Sequence, residues 1–255
     1  MKWQDFPTER KIRGKPFVVS HRGSNKEAPE NTLRAFDLAL NQGAFALETD
    51  LRFTYDDEIV LLHDETLDRT TNGSGYVRDH SLSELKQLRN REPLGDRHRN
   101  QLSMETIPTL SDLIEQTHAQ IPLLLELKDP LFQDRRYATQ FVETLNAHNM
   151  LSQCAIISFQ SKHIGTVKEI APEIPCGQIT LTNPWPKRGA ELLGPLFPLV
   201  YVNPLYVKIA HRWGGVVCPL DTVPEKRMGY YQWLDVDAVL ADDVKAAIKA
   251  MVSSS

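Results

Sequence analysis

The regular alternation of short apolar strands with helices is the feature that most constrains how this 255-residue chain can fold. Two strand–helix units near the start and six more from residue 109 onward give eight units in all. Eight βα units at this length predict an α/β fold of the (β/α)8 TIM-barrel type, in which parallel strands close into a barrel inside a ring of helices. An open, doubly wound sheet is the alternative, but no glycine-rich phosphate fingerprint follows the first strand. The predicted strands cover residues 16–21, 45–50, 121–128, 153–158, 174–180, 199–202, 216–220 and 238–241.

Residues 64–107 interrupt this alternation after the second strand. They contain a turn-rich run at 68–75 and one short predicted helix, but no long apolar strand. A segment of about 40 residues is too small to build a core of its own. We therefore expect a small insertion within a single barrel domain that covers residues 1–255. Residues 1–15 are expected to form a polar lead-in, and a weak, proline-rich helix is expected before residue 199.

Charge and hydropathy exclude several classes of protein. A net charge of −4, without a run of lysine or arginine, argues against a general nucleic-acid binder. No apolar run approaches the roughly 20 residues needed to cross a bilayer, and the polar first 15 residues lack the apolar core of a signal peptide. Cys154, Cys176 and Cys218 have no metal-ligand spacing. We expect them to be buried, reduced thiols of a cytoplasmic protein that is a monomer or a homodimer.

Acidic side chains close two of the predicted strands. Side chains alternate faces along a strand, so Glu48 and Asp50 point the same way, and Glu126 shares a face with Lys128. The carboxyl ends of all strands meet at one mouth of a parallel barrel, where the active site lies. A bound cation would remove the repulsion between such carboxylates, and oxygen ligands suit Mg²⁺, Ca²⁺ or Mn²⁺ better than zinc. A solvated acidic strand end without a metal is the alternative that these residues leave open.

Two histidines are predicted to join the carboxylates at this mouth. His21 ends the first strand beside Arg22, and His63 ends a strand-like extension of the second unit. Because histidine titrates near neutral pH, one ring can accept a proton while the other donates one. Arg22 and Lys128 bring positive charge to the same strand ends, and an anion beside Lys128 would offset the cost of burying its charge. The alternative is that these two cations only form ion pairs with the neighbouring carboxylates.

Other polar residues near the strand ends are given structural roles. Asp221 and Asp242 follow the last two predicted strands, and we expect them to be helix caps or loop anchors. Arg69 begins a run rich in glycine and threonine, which favours turn structure over contact with a substrate.

Seven short motifs resemble those of the glycerophosphodiester phosphodiesterase family, and they occur in the family's order. The insertion at 64–107 also resembles the family's insertion between its second strand and the following helix. The motifs are His-Arg-Gly at 21–23, Pro-Glu-Asn-Thr at 29–32, Glu-x-Asp at 48–50, His-Asp at 63–64, Arg-Thr-Thr-x-Gly-x-Gly at 69–75, Leu-Glu-Leu-Lys at 125–128 and Ser-Phe at 158–159.

The resemblance implies a (β/α)8 barrel that acts on a small-molecule glycerophosphodiester with one divalent cation, Mg²⁺ or Ca²⁺, with Mn²⁺ as a further candidate. It implies metal ligands, an acid–base pair and phosphate contacts on the matching positions. These are Glu48, Asp50 and Glu126 for the metal, His21 and His63 for acid–base catalysis, and Arg22 and Lys128 for the phosphate.

The implied reaction is hydrolysis to an alcohol and sn-glycerol 3-phosphate. The C2 hydroxyl of glycerol lies next to the phosphate, so internal attack to a cyclic phosphate is geometrically favoured. A lysophospholipase D or a sphingomyelinase-D-like phosphodiesterase is an alternative, and a catalytically inactive phosphodiester-binding barrel is another. The family usually carries a Trp-Thr-Val type of motif on its seventh strand, whereas residues 217–221 here read Val-Cys-Pro-Leu-Asp. Because this motif is missing, the sequence leaves open how the enzyme would recognise the glycerol or the leaving group.

Overall fold

A computed structural model describes residues 3–93 and 101–253, and a nearly closed barrel of eight parallel strands lies at its centre. The predicted (β/α)8 architecture is confirmed. Strands β8 and β9 lie at the two ends of this sheet, and the backbone N–H of Asp237 donates to the carbonyl of Val217 over 3.0 Å across the remaining gap. Strand β3 pairs antiparallel with β2, outside the barrel. The strands are β1 (Phe17–His21), β2 (Ala46–Phe53), β3 (Ile59–Leu61), β4 (Leu123–Leu127), β5 (Cys154–Ser158), β6 (Cys176–Thr180), β7 (Leu192–Pro195), β8 (Val216–Val217) and β9 (Ala238–Ala241).

Helices cover the outside of the barrel, and short 3-10 helices lie at Trp3–Asp5, Val77–Asp79, Pro130–Gln133 and Pro224–Lys226. Within the described ranges, every helix is too short or too polar to cross a membrane. The α-helices are α1 (Phe6–Arg13), α2 (Leu33–Asn41), α3 (Leu82–Leu85), α4 (Leu110–Gln116), α5 (Arg135–Ala147), α6 (Ser161–Ile170), α7 (Phe197–Val202), α8 (Tyr206–Arg212), α9 (Met228–Leu234) and α10 (Val244–Ser253).

The amino-terminal segment closes the bottom of the barrel, at the amino ends of the strands. Trp3 and Phe6 are buried, their rings stack at 5.2 Å, and Phe6 packs on Phe17 at the start of β1. The Trp3 indole N–H also donates to the carbonyl of Leu123 at the start of β4. The prediction of a polar lead-in is therefore wrong for residues 3–10, whereas residues 11–14 are exposed. A 3-10 helix and α1 each bury one aromatic ring, and the buried guanidinium of Arg10 pairs with Asp235 at 2.6 Å.

The sixth barrel strand lies earlier in the chain than predicted. Leu192–Pro195 forms β7, whereas Phe197–Val202, which includes most of the predicted strand at 199–202, forms helix α7. No helix precedes β7 in the described residues 181–191. Pro198 explains the error, because proline has no N–H for a central parallel ladder but is well tolerated in the first turn of a helix.

Residues between β3 and α4 form the small insertion, which packs against the outer face of β3. Val60 and Leu62 of the extended chain contact Leu67, Val77 and Leu85 in one buried apolar cluster. This cluster gives the segment a core that it shares with the barrel, which places residues 63–93 beside the mouth.

Candidate active site

Three buried carboxylates meet at the carboxyl ends of β2 and β4. Glu48 and Asp50 face the barrel interior from β2, and Asp50 lies opposite Glu126 in the register of the two parallel strands. One carboxylate oxygen from each residue lies within 4.8 Å of the other two. Burial, followed by the charge of Asp50, raises the pKa of Glu48, and burial likewise raises the pKa of Glu126. Such a set of oxygen ligands could hold one divalent cation.

Two cations lie against these carboxylates. The Arg22 Nε lies 3.0 Å from Oδ2 of Asp50, and the Lys128 Nζ lies 2.7 Å from Oε1 of Glu126 and 3.5 Å from Oδ1 of Asp50. Burial opposes ionisation of Asp50, but the charges of Arg22 and Lys128 outweigh it and lower the pKa of this carboxyl. Three carboxylates and two cations still leave the cluster one unit negative when all are charged, which favours a further positive charge.

A tight turn after β1 brings the backbone into the same cluster. Arg22 has a φ of 58° and Gly23 one of 82°, and the Arg22 N–H donates to Oε2 of Glu48 over 3.1 Å. A Cβ on Gly23 would lie 2.6 Å from the carbonyl carbon of Ala35, so only glycine allows α2 to approach this closely. The turn therefore fixes Arg22 above the carboxylates and orients its guanidinium.

Each histidine is held by an aspartate through its Nδ1. For His21 this partner is Asp242 after β9, at 2.7 Å between Nδ1 and Oδ1, and the side chain of Asn25 donates to the same carboxylate oxygen over 2.7 Å. For His63 it is the adjacent Asp64, at 2.6 Å. Because Nδ1 is occupied, Nε2 is the ring nitrogen of each histidine that can meet a substrate.

The two histidines lie in different electrostatic surroundings. Burial lowers the pKa of His63, and the charges of Arg22 and Lys128 act in the same direction, against Asp50. Although burial opposes it, hydrogen bonds from Arg69 and His63 lower the pKa of Asp64 to about 2. His63 is therefore a neutral ring beside an ionised carboxylate at neutral pH.

Several of these residues were missed or misjudged from the sequence. Asp242 was expected to cap a helix or anchor a loop, but it contacts His21. Arg69 lies in a turn, as predicted, and its guanidinium also donates to both oxygens of Glu30 over 2.8 Å and to Asp64. Asn31 donates to Oδ2 of Asp50 over 3.0 Å. Alternation of side chains along β9 was the one signal that could have placed Asp242 at the mouth.

A cleft of about 290 Å³ opens over the polar side of the mouth. Its wall is mostly charged, so it is suited to a small ionic ligand rather than to an apolar one. Its lining includes His21, Arg22, Asn25, Lys26, Glu30, Arg69, Arg91 and Asp242.

Two solved structures that superpose on this barrel are phosphodiesterases. An Oleispira antarctica phosphodiesterase, solved in complex with the product sn-glycerol-3-phosphate, superposes with a TM-score of 0.80 at 28% identity and covers 94% of this chain and 98% of its own. A glycerophosphodiester phosphodiesterase from Agrobacterium tumefaciens superposes with a TM-score of 0.74 at 26% identity, covering 92% of this chain and 99% of its own. Together with the site, these similarities define a phosphoric diester hydrolase built on a parallel barrel.

Sequence comparison identifies the family. The model of the glycerophosphoryl diester phosphodiesterase family matches residues 21–246. A glycerophosphodiester phosphodiesterase from Caldanaerobacter subterraneus subsp. tengcongensis is 30% identical over 239 residues, which are 92% of this chain and 97% of that protein. The chain therefore belongs to the glycerophosphoryl diester phosphodiesterase family.

Proposed function

We propose that this enzyme hydrolyses glycerophosphodiesters to an alcohol and sn-glycerol 3-phosphate, with one divalent cation and a pair of histidines. The observation that carries the proposal is the convergence of three buried carboxylates, two cations and two aspartate-bound imidazoles on one mouth of the barrel. The product complex of the Oleispira antarctica phosphodiesterase supports sn-glycerol 3-phosphate as the product.

The carboxylate cluster supports a metal site formed by Glu48, Asp50 and Glu126. Asp50 is fully buried, and its Oδ1 accepts no hydrogen bond from the described residues, although the Lys128 Nζ lies 3.5 Å away as an ion-pair partner. One strong acceptor in the cluster therefore keeps a lone pair for a cation. Hard oxygen donors in this number suit Mg²⁺ or Ca²⁺, and also Mn²⁺. A cation bound there would neutralise charge on the phosphodiester and on the transition state.

The two basic side chains are assigned to the phosphate. Arg22 and Lys128 flank the carboxylates, and each side chain is only 15% exposed, so both lie in surroundings where a charge interacts strongly with an anion. A planar guanidinium can donate two parallel hydrogen bonds to phosphate oxygens, and the lysine supplies a point charge. Together they would hold the phosphodiester over the cluster and draw electron density away from phosphorus.

His63 and His21 are assigned opposite roles in the first step. His63 accepts the proton of the C2 hydroxyl, because burial keeps this ring neutral. The C2 oxygen then forms a bond to phosphorus while the bond from phosphorus to the alcohol oxygen breaks. His21, whose Nδ1 lies 2.7 Å from Oδ1 of Asp242, gives its proton to the departing alkoxide.

The second step opens the resulting cyclic phosphate with water. His21 accepts a proton from the water, a new bond forms between the water oxygen and phosphorus, and the bond from phosphorus to the C2 oxygen breaks. His63 returns its proton to that oxygen, which gives sn-glycerol 3-phosphate and restores both rings. The histidines exchange roles between the steps, as reversal of the same proton path requires.

A coupled assay tests this proposal. The chain is incubated with glycerophosphocholine or glycerophosphoethanolamine and Mg²⁺, Ca²⁺ or Mn²⁺, and phosphate is measured after a phosphatase acts on the released glycerol 3-phosphate. We expect metal-dependent phosphate release from both compounds. Absence of release with every metal would refute the proposed function.

The cellular location and the oligomeric state stay predictions. Cys154 and Cys176 are buried free thiols, and burial raises the pKa of each to about 12, whereas Cys218 is a partly buried free thiol. Free cysteines are typical of a reducing compartment, which supports the cytoplasm, and fractionation of cells followed by immunoblotting tests it.

A further inference from the structure

The inward-facing rim of the barrel mouth is polar on four strands and apolar on the other four. Strands β9, β1, β2 and β4 bring the charged groups of the candidate site to the mouth. At the corresponding positions, strands β5 to β8 lead into four large apolar side chains, which we call the apolar rim. The apolar rim consists of Phe159, Leu181, Leu196 and Leu220.

The alternation of side chains places the first two of these residues on the inner side. Ile157 of β5 and Ile179 of β6 belong to the apolar cluster inside the barrel. Phe159 and Leu181 come two residues later, one position beyond their strands, and so face the same way. Phe159 is 38% exposed and Leu181 is 49% exposed.

The other two residues continue the rim on β7 and β8. Leu196 directly follows β7 and forms a parallel bridge with Leu220, which packs against the inner apolar cluster. Both side chains are partly exposed. Four adjacent apolar groups at a ligand-binding mouth are more than the isolated exposed residues that are normal on a protein surface.

The apolar rim is continuous with the charged half of the mouth at both of its ends. The Lys128 Nζ lies 5.4 Å from the centroid of the Phe159 ring. At the other end, the N–H of Asp242 donates to the carbonyl of Thr222, two residues beyond Leu220, over 3.1 Å. A ligand whose phosphate lies between Arg22 and Lys128 would therefore have apolar surface directly beside it.

The space beneath the apolar rim cannot take a long chain. The cavity lined by Ile157, Ile179, Gly194 and Cys218 has about 20 Å³, which is the room of about one water molecule. An apolar group larger than this would have to lie across the rim, where it would cover the exposed leucines.

We propose that the apolar rim binds a hydrocarbon chain, and that the preferred substrates are monoacyl glycerophosphodiesters, in which the C1 oxygen of glycerol carries one acyl chain and the C2 hydroxyl is free. This inference rests on the proposed function, because it takes the phosphate site and the C2 hydroxyl attack from it. A diacyl compound is excluded by the same mechanism, since its C2 oxygen is esterified and cannot attack phosphorus. Water is consumed, the bond from phosphorus to the polar alcohol breaks, and the products are that alcohol and a monoacylglycerol phosphate.

The test compares kcat/KM for glycerophosphocholine with that for its butanoyl, hexanoyl and octanoyl monoesters on C1, all below their critical micelle concentrations. Release of choline is the readout, since it is common to all four compounds. Full burial of one methylene is worth about fourfold in an equilibrium constant, so burial on a half-exposed rim gives about twofold. We expect kcat/KM to rise about twofold for each methylene from butanoyl to octanoyl.

Three variants separate the rim from general hydrophobicity. Leu181→Asn should flatten the dependence on chain length, and Leu181→Met should keep it because the side chain stays apolar. Ile12→Asn is the matched control: Ile12 is a 75% exposed aliphatic residue on α1, at the opposite end of the barrel. It should leave all four values unchanged.

Each outcome decides one question. The assignment of the apolar rim would be overturned if kcat/KM of the unmodified enzyme did not rise with acyl chain length. It would also be overturned if kcat/KM rose as steeply with chain length in Leu181→Asn as in the unmodified enzyme. Hydrolysis of glycerophosphocholine would still support the proposed function in that case. Failure to release choline from all four compounds would refute the proposed function itself.

Discussion

Replacing Asp242 with asparagine should impair turnover through His21, although Asp242 touches no part of the proposed metal site. The Oδ1 of Asp242 lies 2.7 Å from the Nδ1 of His21, and its side chain is 15% exposed, so water screens the pair weakly. Although burial opposes it, the hydrogen bond from His21 lowers the pKa of Asp242, so the carboxylate is ionised at neutral pH. The variant keeps the shape of this side chain and removes its charge.

The size of the effect follows from the lost charge, because the amide oxygen of asparagine can still accept a hydrogen bond from His21. A hydrogen bond to a charged group contributes about 1.5–3 kcal/mol and one between neutral groups about 0.5–1.5 kcal/mol. The difference of about 1–1.5 kcal/mol corresponds to a loss of about 5- to 12-fold in kcat at about 1.4 kcal/mol per factor of ten. KM should change little, since Arg22 and Lys128 still bind the phosphate. In an enzyme that already carries His21→Ala, the same substitution should have almost no further effect, because the residue acts through that ring.

Steady-state kinetics on glycerophosphocholine with Asp243→Asn as the control measures this effect. Asp243 is the next residue and its Oδ1 accepts the N–H of Ala246 in the first turn of α10, a capping role that asparagine performs equally well. We expect normal kcat for the control. A kcat for Asp242→Asn within twofold of the unmodified enzyme, with an unchanged melting temperature, would refute a positioning role for Asp242.

Three further predictions concern the histidines and the internal nucleophile. His21→Ala and His63→Ala should each lower kcat by about 100-fold or more, and the double variant should lose less than the product; a single variant with near-normal kcat would show a structural histidine. On the acid side, the midpoint of the fall in kcat/KM should lie below pH 6.5. Burial lowers the pKa of His63, so the neutral form that accepts the proton persists to lower pH. A midpoint at pH 6.5 or above would contradict this role. A propanediol phosphodiester, which lacks the C2 hydroxyl, should keep a similar KM and lose kcat, and ³¹P NMR should show a cyclic phosphate only with the normal substrate; equal kcat for the two would mean that water attacks directly.

Strand periodicity explains why the carboxylate cluster could be anticipated from the sequence. Glu48 and Asp50 are two residues apart on β2, which puts them on one face in any strand. Glu126 joins them because β4 is the next barrel strand and its register sets Glu126 beside Asp50. A short-range pattern and a parallel sheet therefore suffice to bring these three residues together.

The contacts of His21 could not be anticipated in the same way. Asp242 lies 221 residues further along the chain, and it reaches His21 only because β9 closes the barrel against β1. From the sequence, an aspartate just before a helix is explained equally well as a cap. Contacts that depend on closure of the whole barrel can be identified only from the three-dimensional structure. The same is true of the position of α7 and of the aromatic rings that cover the bottom of the barrel.

The central claim is that one divalent cation, held by Glu48, Asp50 and Glu126, is required for hydrolysis. The most direct test is turnover of glycerophosphocholine by enzyme dialysed against excess EDTA and then titrated with Mg²⁺ or Ca²⁺. We predict that dialysis abolishes turnover, that the added cation restores it, and that Asp50→Asn is not restored at the same concentration, because it lacks the central anionic ligand. Full turnover in excess EDTA would contradict the account.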